Sequence, residues 1–234
     1  MSHRISKAVL IAGTMITLTT AGPLVADDEW GISGHVELVT DYRLRGVSLT
    51  NKNPTVQGGI DISRGGFFGG VWASGLDETF AGANTEIDFY GGYSFALTEG
   101  VTFDIGGTYY GYSGGSDLDF VEAFATLGFA TGDIGWAATA YYAPDQKNMA
   151  DQDNLYLHLS ADYAVPNSPW SFGATLGYED GFFADALAGG TKWDYGASIT
   201  YSFEKISLTV SGINTDRSSA ETDAAVLVTL GAAF

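Results

Sequence analysis

From Gly31 onward the chain alternates apolar and polar residues in short runs of nearly constant length. Twelve such runs fall at roughly 31–45, 54–64, 66–76, 85–97, 100–111, 118–130, 133–143, 153–164, 169–179, 192–203, 205–213 and 221–234. Side chains of a strand point alternately to its two faces, so each run predicts a strand with one apolar and one polar face. Most of these runs are about 10–13 residues long, enough for a tilted strand to cross a bilayer, which takes about 9–11. The run 193–203 sets Trp193, Tyr195, Ala197, Ile199, Tyr201 and Phe203 against Asp194, Gly196, Ser198, Thr200 and Ser202. The run 86–97 sets Ile87, Phe89, Tyr93, Phe95 and Leu97 against Glu86, Asp88, Tyr90 and Ser94. In 66–76 neither face is polar: Phe67 is assigned outward, and Phe68 and Trp72 fit lipid or interior.

A soluble sandwich alternates in the same way, so three further features decide between the two. The connectors alternate in length. Those near Gly65, Glu99, Gly132, 165–168 and Glu204 are short, whereas those around 46–53, 77–84, 112–117, 144–152, 180–191 and 214–220 are longer and rich in Asp, Asn and Gly. Bacterial outer-membrane barrels have short periplasmic turns and longer outer loops, and an even strand count brings both termini to the periplasm. Aromatics also gather at the strand ends: Phe95, Phe103, Phe129, Trp136, Tyr163, Trp170, Phe203 and Phe234 at one rim, and Tyr42, Tyr109, Tyr142, Tyr178 and Trp193 at the other. Two aromatic girdles mark two membrane interfaces. Finally, the chain ends on an apolar strand with Val226, Val228, Leu230, Ala232 and Phe234 on one face. That ending resembles the C-terminal signal read by barrel-assembly machinery, an expected partner. The expectation is an all-β fold: an antiparallel transmembrane β-barrel of about twelve strands in the bacterial outer membrane.

Composition agrees. Gly accounts for 32 of 234 residues and aromatics for 14 %, and there is no Cys. A barrel closed by backbone hydrogen bonds needs no disulfide. Residues 1–26 read as a cleaved secretory signal, with Arg4 and Lys7 basic, 8–20 a short apolar core, and Leu24-Val25-Ala26 before the cut. The expected mature unit is 27–234. Losing Arg4 and Lys7 leaves eight Lys and Arg against 28 acids, a net −20, which argues against nucleic acid as a partner.

The segment Thr40-Asp41-Tyr42-Arg43-Leu44-Arg45-Gly46-Val47-Ser48-Leu49-Thr50, continued by Asn53-Pro54-Thr55-Val56-Gln57-Gly58-Gly59-Ile60-Asp61 and Glu86-Ile87-Asp88-Phe89-Tyr90-Gly91-Gly92-Tyr93, resembles the TorF family of porins, also described as the Gcw_chp proteins of unknown function. The likeness covers about 31–110, with Leu44 and Leu49 where the family pattern has an aromatic and a Gln. It implies a barrel and a pore, and carries no assigned functional residues.

By parity the interior holds His35, Glu37, Asp41, Arg43, Arg45, Gln57, Asp61, Glu86, Asp88, Asp104, Glu122, His158, Asp162, Glu179 and Asp194. Small residues such as Gly59, Gly106, Gly177 and Gly196 lie between them, and this reads as open space. Charges cannot be dry and unpaired, so the face must be solvated or cross-paired. Constriction candidates are Asp41, Arg43, Arg45, Gln57, Asp61, Glu86, Asp88, Asp104, Glu122 and His158. Arg43 and Arg45, expected near the outer end of strand one, either set up a transverse field or form structural ion pairs. The acid excess favours cationic or neutral polar solutes over anions. The outer loops are acidic too, which fits lipopolysaccharide as a neighbour alongside outer-membrane lipid. Asp151 and Asp153 are spaced as in a calcium loop but lack the rest of that pattern, so no metal or cofactor is expected. A hydrolase would need a Ser–His pair, and His158 with Ser160 on one face is weak support, so no enzyme is expected. The remaining alternative is a non-conducting barrel serving as receptor, adhesin or scaffold, its lumen closed by ion pairs and by inward folding of 46–53 and 180–191.

Overall fold

The computed structural model describes residues 29–115, 117–187 and 189–234; the expected signal segment 1–26 lies outside them. The strands are β1 (Gly31–Val39), β2 (Arg43–Leu44), β3 (Val47–Ser48), β4 (Thr55–Arg64), β5 (Phe67–Gly75), β6 (Thr85–Thr98), β7 (Val101–Ser113), β8 (Phe120–Thr131), β9 (Ile134–Gln146), β10 (Gln152–Ala164), β11 (Trp170–Gly181), β12 (Thr191–Phe203), β13 (Ile206–Thr215) and β14 (Ala225–Ala233). A 3-10 turn at Lys147–Met149 and a one-turn helix, α1 (Phe182–Asp185), complete the described elements. β1 and β4–β14 form a closed antiparallel barrel in sequence order, and β1 closes it by pairing with both β4 and β14. Closure matters because an open edge would leave a ladder of backbone groups unsatisfied in lipid.

The seam is fixed by backbone bonds at the very end of the chain. Gly34 N donates to Phe234 O at 3.0 Å, and Phe234 N to Gly34 O at 2.9 Å. The start of β1, the C-terminus and all five short turns therefore share one end of the barrel. At that end Gly65 (φ 58°) and Gly132 (φ 63°) take the left-handed conformation that tight hairpins demand.

The period-two pattern delivers the two faces. Phe67, Phe89, Ile105, Trp193, Tyr195, Phe203, Val226, Leu230 and Phe234 are exposed on the outside. Water would not tolerate so continuous an apolar surface, and a bilayer needs it. Phe68 and Trp72 point inward: Phe68 stacks towards Phe124 at 6.3 Å, and Trp72 meets Tyr42 edge-on at 5.4 Å. That settles the side of 66–76 that the sequence left open.

The expected first strand, 31–45, is corrected. The wall strand stops at Val39. Thr40 ends its ladder by donating from N to Val228 O (3.0 Å) and accepting from Val228 N on its hydroxyl (2.9 Å). The chain then turns into the barrel, where β2 and β3 form a hairpin pairing Arg43 with Ser48 and Leu44 with Val47. Its tip is Arg45–Gly46, both at positive φ (51° and 83°), as a tight type I′ turn requires. Tyr42 is therefore not part of the outer-rim girdle. It is buried with Val39 and Leu49, against Leu44, Val47, Trp72, Leu76 and Phe80.

Candidate functional site

The interior at the long-loop end is filled by that hairpin. Asp41 anchors its base: Arg43 Nε donates to Asp41 Oδ2 at 2.7 Å, and Ser48 and Thr50 hydroxyls donate to Oδ1 at 2.6 and 3.0 Å. Arg43 Nη1 also donates to the carbonyls of Gly46 (3.1 Å) and Asp223 (2.7 Å), tying the hairpin to the last long loop. The tip abuts the long-loop end of β13, two strands along from β1, since a Cβ on Gly46 would run into the side chain of Thr215.

From the tip, Arg45 bridges strands that do not adjoin. Its Nη2 donates to both oxygens of Glu122 on β8 (2.8 and 2.6 Å), and its Nη1 to Glu179 on β11 (2.8 Å). The guanidinium lies 4.5 Å from the Tyr156 ring centre and 5.5 Å from that of Tyr141. Lys192 extends the layer, with Nζ at 2.9 Å from Glu179 and 3.6 Å from Asp194, and it donates to the Arg45 carbonyl. Tyr156 donates to Asp194 at 3.0 Å, and Asn154 to Glu179 at 3.2 Å. Arg43, Lys192, Tyr156 and Glu86 are 0 % exposed, so this layer is dry. From the opposite loop, α1 leans in. Phe183 N donates to Asn154 Oδ1 (3.0 Å), and its ring is 5.1 Å from Phe120, beside buried Tyr110 and Met149.

Towards the short-turn end the interior loosens. His35, Glu37, Asp61, His158 and Asp162 are only half-buried, and Thr175 is exposed. Tyr90 donates to Asp61, and Gln57 lies deeper, donating to Ser74 at 3.3 Å. Asp104 is buried lower on β7, one of its oxygens without a partner. His158 stacks on Tyr156 (5.9 Å between centres), and no described hydrogen bond joins it to Ser160.

All ten candidate residues thus face the interior, but they form no single ring. Asp41, Arg43, Arg45, Glu86, Asp88 and Glu122 belong to the closed layer; Asp61 and His158 border the open half. Asp41, Arg43 and Arg45 reach the interior on a hairpin, not on the outer end of strand one. Sequence reasoning missed Lys192, Tyr156 and Asn154. Lys192 opens the run 192–203, and parity with Asp194 was the signal that it faces inward. It also misread the glycines. Gly106 makes room for Phe124, Gly59 for His35, and Gly177 for Tyr156 and Asp194, since a Cβ at each would crowd those side chains. Much of the expected space is ring volume.

A family model described as "Bacterial protein of unknown function (Gcw_chp)" matches residues 25–233. The chain belongs to the Gcw_chp family. No functionally curated protein matches it in sequence. In fold, this Gcw_chp protein is similar to the KdgM porin, with a TM-score of 0.59 and 12 % identity, over 87 % of this chain and 97 % of that one. It is similar to the NanC porin with a TM-score of 0.60 and 10 % identity, over 87 % and 99 % of the two chains. An outer membrane channel from Pseudomonas putida F1 aligns with a TM-score of 0.50 and 10 % identity, over 86 % and 94 %. The Gcw_chp chain therefore has the build of a bacterial outer-membrane porin barrel: closed, twelve-stranded, apolar outside and polar within.

Proposed function

We propose that this protein is a narrow outer-membrane channel for small polar solutes, cationic or neutral, whose constriction is the 40–50 hairpin. The long loops face outward beside lipopolysaccharide, and both termini face the periplasm. The signal 1–26 is removed, and the strand ending in Phe234 is read by the barrel-assembly machinery. The observation that carries the reading is the sign of the interior. Seven buried carboxylates (Asp41, Glu86, Asp88, Asp104, Glu122, Glu179, Asp194) meet three buried cations (Arg43, Arg45, Lys192), and the wetter half adds Glu37, Asp61 and Asp162. A low-dielectric wall focuses that field on the permeating solute, repelling anions. The dry Arg45 layer is the closed position, and conduction requires the hairpin to withdraw.

Planar-bilayer reversal potentials across a KCl gradient test the reading. Cation selectivity is the expected result, and clear anion selectivity contradicts it. The dryness of the layer favours a second reading, a permanently plugged barrel acting as receptor, adhesin or scaffold. Refolded protein that shows the heat-modifiable gel shift of a barrel but no current at any salt selects that reading.

A further inference from the structure

We infer that Glu86 and Asp88 form a binding site for one compact monovalent cation, an alkali ion or a protonated primary amine; this deepens the reading of the lumen as cation-accepting and rests on it. The two acids stand on β6, two residues apart and on the same inward face. Their cross-strand neighbours are Ser74 and Trp72 on β5, and Tyr112 and Tyr110 on β7. The hairpin lays Tyr42 over them, edge-on to Trp72. Three walls of the site are therefore aromatic.

Inside it the charge is uncompensated. Glu86 accepts from the Tyr112 hydroxyl at 3.0 Å and has the Tyr42 hydroxyl beside its carboxylate, while Oε2 and Asp88 Oδ1 have no partner of good hydrogen-bond geometry. The two residues are 0 % and 2 % exposed, so the pair is shielded from solvent. No neighbouring cation stands in. Arg43 pairs with Asp41, Arg45 with Glu122 and Glu179, and Lys192 with Glu179 and Asp194, and none of them pairs with Glu86 or Asp88. A buried carboxylate pair without a counter-charge is costly, and the group that relieves it must bring one positive charge and fit a small space. Carboxylate oxygens, a tyrosine hydroxyl and aromatic faces suit an alkali ion or an ammonium group, the latter gaining from the rings. A divalent ion is a poorer fit: it takes six or more oxygens, and no group of three acid, His or Cys side chains converges to hold a metal among the described residues. Two residues on from Asp88, towards the wetter half, half-buried Tyr90 donates to half-buried Asp61.

The test uses the full refolded barrel in detergent, titrated calorimetrically with rubidium chloride and with methylammonium chloride at constant ionic strength held by bulky tetrapropylammonium chloride. One saturable site is expected. It should weaken roughly tenfold or more in Glu86→Gln/Asp88→Asn, the effect of removing charge-assisted contacts, and stay unchanged in Glu99→Gln, an exposed acid of a short turn. The salt that saturates it tells ion from amine. Infrared spectra of the wild type give the opposing result independently of any variant. A protonated carboxyl band at neutral pH, with neither salt saturating, means that the pair holds protons and overturns the site. Bilayer current on the same preparation keeps the two claims apart. Binding without current retains the site and removes the channel, and current without binding does the reverse.

Discussion

The two halves of this barrel's interior are lined by the same strands and filled by different means. Near the short turns the wall's own side chains face a partly wet space, and Glu37, Asp61 and Asp162 are only half-buried. Near the long loops the chain itself enters. The 40–50 hairpin and α1 bring in Tyr42, Arg45 and Phe183, and Arg43, Lys192, Tyr156 and Glu86 become fully buried. Wall alternation alone makes a polar tube; closing it takes a second layer of chain. The closed half is therefore the brittle one, because its charges depend on partners that a single substitution removes.

Substitutions should separate the halves. Arg45→Ala strands Glu122 and leaves Glu179 with Lys192 alone, a loss of about 3–5 kcal/mol for a buried pair broken from one side. Denaturant unfolding in detergent micelles should register it, while Glu37→Gln in the wetter half changes little. Gly46→Val forces a β-branched residue to positive φ and into Thr215, costing about 1–3 kcal/mol. Trypsin should then cut at Arg43 or Arg45 in the variant and spare the wild type. Tyr156→Phe removes the 3.0 Å bond to Asp194 and should cost about 1–3 kcal/mol, the penalty of an unmet buried acceptor. The smallest effect belongs outside both halves. Lys52 and Asp223 pair at 3.4 Å in the loops, both about half exposed, and Lys52→Ala should cost at most about 1 kcal/mol, vanishing in high salt.

The wall was legible in the sequence because a period of two leaves little freedom: one residue of slip in 193–203 would turn Trp193 and Tyr201 into the lumen. The interior was less legible, for two physical reasons. Parity places Asp41, Arg43 and Arg45 inside correctly but for the wrong cause. Alternation continues through the inward hairpin, so the point where the chain leaves the wall, Thr40, carries no break in pattern. The signal available was Arg45–Gly46, a two-residue turn flanked by Leu44 and Val47. The glycines misled for another reason. A bare position on a wall is either space or a seat for a ring, and only the neighbouring strands decide which. At Gly106 the seat belongs to Phe124, and at Gly177 to Tyr156. Such pairings are set by register across strands, which local sequence does not encode.

The claim that the hairpin is the closing element is tested most directly by single-channel recording on a barrel in which residues 41–50 are replaced by a short Gly-Ser link, its folding checked by the heat-modifiable gel shift. A large, cation-selective step is expected in that variant, and small or intermittent openings in the wild type. A folded, hairpin-free barrel that still passes no current would contradict it.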